Sequence, residues 1–222
     1  MSRVSLHVHH FRGQRMWSLL QMQTAHRGLA ATPGLSFYKL LGTGQGAFSV
    51  WPDLDTYALL TVWDSDADRQ RFEAQSPLLA ERRERAEHED RFLLEPLHCH
   101  GAWDGQQPFP EPSRKQSPHP VGVITRATIR ARRLREFWEH VPQAAAAIQS
   151  AQGVRWFKGI GELPWIQQAT FSVWEDMEAV RTFAYKHRVH AEIVKKTRQR
   201  QWYSEDLFAR FAVLEHAQET LR

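Results

Sequence analysis

The feature that most constrains this chain is that it repeats itself. Gly34, Phe37, Lys39 and Gly42 recur as Gly153, Trp156, Lys158 and Gly161, each displaced by 119 positions, and Trp17 upstream answers Trp138. The displacement then falls to 111, where Val62-Trp63, Ala67 and Phe72 recur as Val173-Trp174, Glu178 and Phe183. A longer Gly- and Pro-containing connection, residues 42–55, accounts for the change. Between the copies, residues 104–120 (DGQQPFPEPSRKQSPHP) hold five of the eleven prolines, which suit neither a helix interior nor a central strand. The division is therefore 1–103, a linker 104–120, and 121–222.

Periodicity gives both halves the same order of elements. Val4 to Phe11 alternates as a strand, and residues 15–29 place Met16, Leu19, Leu20 and Met22 at helical spacing for a buried face. Strands over 35–41 and 56–63, a helix over 66–90 and a strand from Arg91 to His98 follow. The second half repeats this as strand 121–129, helix 133–150, strands 154–160 and 167–174, helix 176–201 and strand 206–214. The fold class is α+β: two ferredoxin-like βαββαβ units whose sheets face one another in a single-chain dimeric α/β-barrel arrangement.

Composition narrows the function classes. Lys+Arg 29 against Asp+Glu 25 leaves a net charge of only +4, scattered along the helices, which argues against nucleic acid as a partner. One cysteine, Cys99, excludes an internal disulfide framework, and no signal peptide or bilayer-long apolar run is present, so a cytoplasmic location is expected. The dinucleotide-binding, Walker and nucleophile-elbow patterns are absent, and the glycine-rich Gly42 to Gly46 joins strands instead of opening a helix. Nine Trp and twelve Phe suit an apolar pocket or two small cores.

The repeat also isolates one residue: at displacement 111, Leu79-Ala80-Glu81 becomes His190-Ala191-Glu192. Histidine replacing a core leucine needs partners for its ring nitrogens, as a capped side chain or as an axial ligand of haem iron. His187 lies three residues earlier on the same helical face, with no third zinc ligand in sight. His7, His9 and His10, and His98 and His100 flanking Cys99, are expected to be exposed strand residues or to make local polar contacts.

The second half contains Thr125-Arg-Ala-Thr-Ile-Arg130, Phe137-Trp138, Val141-Pro142, Gly159-Ile-Gly-Glu162 with Pro164, Gln168, Thr170-Phe-Ser172 and Trp174. Further along stand Phe183-Ala184, His190-Ala191, Trp202, Glu205, Leu207 and Ala209-Arg-Phe211, and the first half adds Phe37-Tyr-Lys-Leu40 with Gly42. In these residues nearly the whole chain resembles the spheroidene monooxygenases, bacterial carotenoid oxygenases. The resemblance implies haem b and its iron, dioxygen, electrons from a ferredoxin, and an apolar carotenoid-like substrate that is hydroxylated and then ketolated. It also favours His190 as the metal ligand, in a site between sheet and helices of the second half. Arg126 and Gln168 are candidates to face bound oxygen or a haem propionate. Trp156, Phe171 and Trp174 are candidate apolar walls, and transient association with a membrane surface fits such a substrate. An aldoxime dehydratase-like haem enzyme, a non-catalytic haem-binding protein and a cofactor-free oxygenase are the alternatives.

Overall fold

Val4, Leu6 and Val8 alternate with Ser5, His7 and His9, yet all six are buried, so the first strand is covered on both faces. In the computed structural model this strand, β1 (Arg3–His10), is central to its half. The structure describes residues 3–46, 48–109, 118, 120–186 and 188–221; the side chains of 185, 186, 188–191 and 194 lie outside that description. The remaining elements are α1 (Arg15–Ala30), β2 (Leu35–Gly44), β3 (Pro52–Trp63), α2 (Asp66–Gln75), α3 (Pro77–Arg85), β4 (His88–Gly101), β5 (Val121–Ile129), α4 (Leu134–Gln149), β6 (Val154–Gly161), β7 (Gln167–Trp174), α5 (Met177–Arg181), α6 (Arg188–Arg200) and β8 (Tyr203–Thr220).

The strands close into one antiparallel barrel, β1-β3-β2-β6-β7-β5-β8-β4. Each half contributes the same order, β4-β1-β3-β2 and β8-β5-β7-β6, and closure removes the free edges that either sheet alone would expose. The two seams differ in length. Pairing of β4 with β8 runs from His88↔Thr220 to Gly101↔Leu207, whereas β2 meets β6 only at Gly42↔Gly161 and Thr43↔Ile160. Both halves fill the interior: Leu6, Phe92 and Leu94 pack with Ile124, Phe171 and Phe211. Trp103 and Phe109, from the end of β4 and the start of the expected linker, are buried in the same core. Residues 110–117 and 119 lie outside the described residues.

Local contacts recur at the positions the repeat picks out. Gly34 and Gly153 turn the chain from helix to strand with φ of +73° and +79°, in the left-handed region that favours glycine. A Cβ there would come within 2.5 Å of the Asp68 side chain and 2.7 Å of Ala179 Cβ, so close packing also requires glycine. The Trp63 indole donates to Thr61 Oγ1 at 3.0 Å and the Trp174 indole to Ser172 Oγ at 2.9 Å. Phe72 and Phe183 each stand 5.0 Å from those tryptophans.

The structure corrects several boundaries. The expected helix 66–90 breaks at Ser76, which caps α3 ahead of Pro77, and β4 then begins at His88 and continues to Gly101. The expected helix 176–201 divides into α5, a π-helical turn Thr182–Lys186 and α6. β2 and β3 extend to Gly44 and from Pro52, shortening their connection, and β8 is far longer than 206–214. In α1, Met16, Leu19 and Leu20 are exposed while Ser18, Ala25 and Leu29 are buried. Arg15 docks on Asp55 at 2.7 Å and fixes the helix with its apolar stripe outward. No described helix is long and apolar enough to cross a membrane.

Candidate functional site

Each half has a layer between its sheet and its helices, and register makes the two comparable position by position. In the first half, Leu40, Leu59 and His7 form one row across β2, β3 and β1 on the helix side. All three are buried, and Leu79 of α3 packs on Leu40 and Leu59. The matching row of the second half is Gly159, Thr170 and Thr125. The next row replaces Tyr57 and His9 by Gln168 and Ala127. The residue answering Leu79 is His190, whose backbone belongs to α6.

These replacements leave the second sheet with a low platform. Thr125 is exposed although β5 lies between β7 and β8, and Thr170, Gln168 and Phe157 are only half-buried. The Thr125 and Thr170 hydroxyls are hydrogen-bonded at 2.7 Å. One end of the platform is walled by Trp174, Val180 and Phe183. Phe183 of the π-helical turn packs on Trp174 at 5.0 Å, and α6, which follows the turn, is tied to α4 by Lys196 Nζ donating to His140 Nε2 at 2.8 Å. A π turn widens the helix locally and recurs at functional sites. Sequence periodicity had no means of showing this turn, because its hydrogen-bond shift leaves no compositional mark.

The expected site residues lie on two different faces of the sheet. Gln168 and Trp174 are on the helix side, the Gln168 amide donating to the Leu163 carbonyl at 3.3 Å. Trp156 and Phe171 point into the barrel, with Phe92 at 4.9 and 5.0 Å from their rings. Arg126 also points inward, buried over the Trp103 ring and ion-paired with Glu205, with Asp104 at 3.2 Å and Glu162 at 3.6 Å. Lys39 joins this network through Asp104 and Glu162. Strand alternation separates Arg126 from Gln168, which the sequence reading had grouped together. His187 lies outside the described residues, as does the side chain of His190.

The first half holds a buried cluster at residues expected to be exposed or to make local polar contacts, and the second of these is what His7 and His9 do. His7 and His9 are fully buried, with His7 Nδ1 at 2.8 Å and His9 Nε2 at 3.2 Å from the same oxygen of Glu89. Among the described residues these three form the one grouping with metal-ligand proximity, their ligand atoms within 4.8 Å of one another. Arg83 holds the other Glu89 oxygen at 2.9 Å, Arg69 holds Glu73 at 2.7 Å, and Arg82 is 1% exposed. Arg69, which also pairs with Asp66 at 2.7 Å, Arg82 and Arg83 balance Asp66, Glu73 and Glu89, and both Glu89 oxygens are already held by His7, His9 and Arg83, so the cluster reads as a buried charge network. Burial drives His9 down to about 3. Burial acts to raise Glu73, but hydrogen bonding and charge from His7 and Arg69 outweigh it and hold Glu73 at about 2. The only sequence signal was the Glu73, Arg82, Arg83 and Glu89 pattern along the same helices and strand.

Comparison with known proteins follows the same outline. No protein-family model matches the chain. Two solved aldoxime dehydratases, one in complex with butyraldoxime, superpose with TM-scores of 0.68 and 0.63 over 99% and 98% of this chain, covering 84% and 81% of theirs, at 11% identity. That likeness is one of fold. Among curated sequences, the spheroidene monooxygenase of Rhodobacter capsulatus is 34% identical over 201 residues, 89% of this chain and 83% of that protein. That of Cereibacter sphaeroides is 32% identical over 218 residues, 96% of this chain and 67% of that protein. That of Rubrivivax gelatinosus is 31% identical over 205 residues, 90% and 77% of the respective lengths. With identity of this level spread over both halves, the chain belongs to the spheroidene monooxygenase family.

Proposed function

We propose that this protein is a haem-dependent monooxygenase of a carotenoid-like polyene, built from two copies of one ferredoxin-like unit, with one b-type haem in the second helix–sheet layer. The observation that carries the reading is the substitution of Leu40, Leu59 and Leu79 by Gly159, Thr170 and His190 at matched positions. A flat macrocycle needs room beside a sheet and a nitrogen donor from a neighbouring helix, for which Gly159 with Thr170 and then His190 are the proposed sources. Identical strand order, matched glycine turns and the repeated indole hydrogen bonds support the duplication.

His190 is the proposed iron ligand. When bound, the haem would activate dioxygen, so that with two electrons from reduced ferredoxin and two protons from solvent one oxygen atom would enter a substrate C–H bond and the other leave as water. The protein's share is binding, orientation and exclusion of water. The Thr125 and Thr170 hydroxyls and the Gln168 amide offer hydrogen bonds to a polar edge, while Trp174, Phe183 and Phe157 supply apolar walls. Arg126, Trp156 and Phe171 act from behind, holding β5, β6 and β7 from inside the barrel.

The test is turnover by the haem-loaded enzyme with a reduced ferredoxin, labelled dioxygen and an acyclic carotenoid. Label in a hydroxylated or ketolated polyene is expected. Oxygen-independent conversion of an aldoxime to a nitrile, with no label entering the polyene, would replace this reading by the dehydratase one.

A further inference from the structure

The exposed large apolar side chains of the described residues gather on one flank of the barrel. They are Met16, Leu19 and Leu20 on α1, Val50, Trp51 and Leu54 around the β2–β3 connection, and Leu163, Trp165 and Ile166 between β6 and β7. Side-chain contacts join these segments. Trp165 donates its indole N–H to the Val50 carbonyl at 3.1 Å, and Trp138 of α4 donates to the Trp165 carbonyl at 3.0 Å. Phe48 lies against Trp138, and Arg15 ties α1 to Asp55 beside Leu54. The flank lies over the short β2–β6 seam, where the two connections meet.

Trp51 is 65% and Trp165 46% exposed, so with about 250 Å² per indole side chain these two alone leave on the order of 280 Å² of largely apolar surface in water. Exposed apolar surface of that order, with seven more apolar side chains on the segments that these contacts join, marks an interaction surface. Charge indicates what covers it. The acids around it are each held by a base: Asp55 by Arg15, Asp53 by Lys158, Glu136 by Arg133 and Glu139 by Arg135. Arg12, Arg130 and Arg132 are exposed at its rim, before α1 and α4, and give it a positive margin. Tryptophan at the edge of an apolar patch with arginine around it matches the chemistry of a bilayer interface with anionic headgroups.

We propose that this flank docks on the surface of an anionic lipid bilayer, with Trp51, Leu163 and their neighbours entering the headgroup region. The inference deepens the polyene reading, because a carotenoid-like hydrocarbon dissolves in a bilayer and not in water, so the enzyme must meet its substrate there. No spanning segment is needed: the side chains insert from loops and from one helix.

The experiment is co-sedimentation of the haem-loaded protein with vesicles of phosphatidylcholine alone and of equimolar phosphatidylcholine and phosphatidylglycerol, alongside light scattering of the free protein. Binding to both is expected, several-fold tighter to the anionic vesicles. Trp51→Ser with Leu163→Ser should weaken binding to both at least tenfold, while Arg12→Gln with Arg132→Gln should remove only the anionic increment. These variants should retain turnover of detergent-solubilised carotenoid and lose it for vesicle-embedded carotenoid. Vesicle binding by a protein inert towards carotenoid in detergent would uphold the docking surface and overturn the substrate reading. Absence of binding to either vesicle, or a dimer in solution that Trp51→Ser dissociates, would overturn the docking surface.

Discussion

The two helix–sheet layers of this protein occupy equivalent places in one barrel and are built to opposite ends. In the first, His7, Leu40, Leu59 and Leu79 fill the space, and a network of Glu73, Glu89, Arg69, Arg82 and Arg83 closes its polar side. In the second, Gly159, Thr170 and Thr125 stand at the matching positions, and the helical segment that follows β7 contains a π turn. Filling a layer stabilises the fold; lowering it gives up packing, on the order of 2–5 kcal/mol per leucine lost, to make room for something else. On the proposed reading the filled half serves as scaffold and the lowered half as site.

The largest effect is expected from breaking the scaffold. Glu89→Gln leaves the buried Arg82 and the half-buried Arg83 beside a neutral amide and should destabilise the fold by about 3–5 kcal/mol, read as a lower denaturation midpoint. A loss below about 1 kcal/mol would show the network to be dispensable. The next prediction converts the second layer towards the first. Thr170→Leu with Gly159→Leu gives it the residues of Leu59 and Leu40, and should reduce haem retention at least tenfold, about 1.4 kcal/mol, while the fold is kept. Undiminished haem binding would place the cofactor elsewhere.

The most gradual effect concerns acid, smallest at any one step of pH. An unfolded His9 gains a proton below its ordinary 6.5, whereas the folded one stays neutral down to about 3, so the unfolded chain binds more protons across that window. Glu73 adds to this between its ordinary 4.5 and about 2, its stabilisation being full above the first value and lost as pH falls through the second. Stability should therefore fall with acidification from pH 6.5, by up to about 1.4 kcal/mol per pH unit from His9. His9→Leu should flatten that slope between pH 6.5 and 4.5; an unchanged slope would mean His9 is not the group responsible.

Much of the fold was legible because the two halves carry paired marks. Gly34 with Gly153 and Trp63 with Trp174 hold the same turns and indole contacts, and all eight strands lie where they were expected, four of them (β1, β5, β6 and β7) to within one residue at each end. Less legible was whatever depends on which face an element turns inward. Met16, Leu19 and Leu20 have the spacing of a core stripe and face outward, because Arg15–Asp55 and the packing of Ala25 and Leu29 orient α1. His7 and His9 look like surface strand residues, yet the helices over β1 bring Glu73 and the arginines that make their burial tolerable. The contrast of Leu79 with His190 could be read from the chain, but the low platform of Gly159 and Thr170 beneath it needed the register of β6 on β7.

The central claim is that one layer holds haem and the other does not. It is tested most directly by the pyridine haemochrome of the purified protein expressed with ample haem, compared with His190→Ala and with His187→Ala. The account predicts one haem b per chain in the parent, almost none in His190→Ala with a preserved circular dichroism spectrum, and a milder loss in His187→Ala. No haem in the parent, two per chain, or full retention by His190→Ala would contradict it.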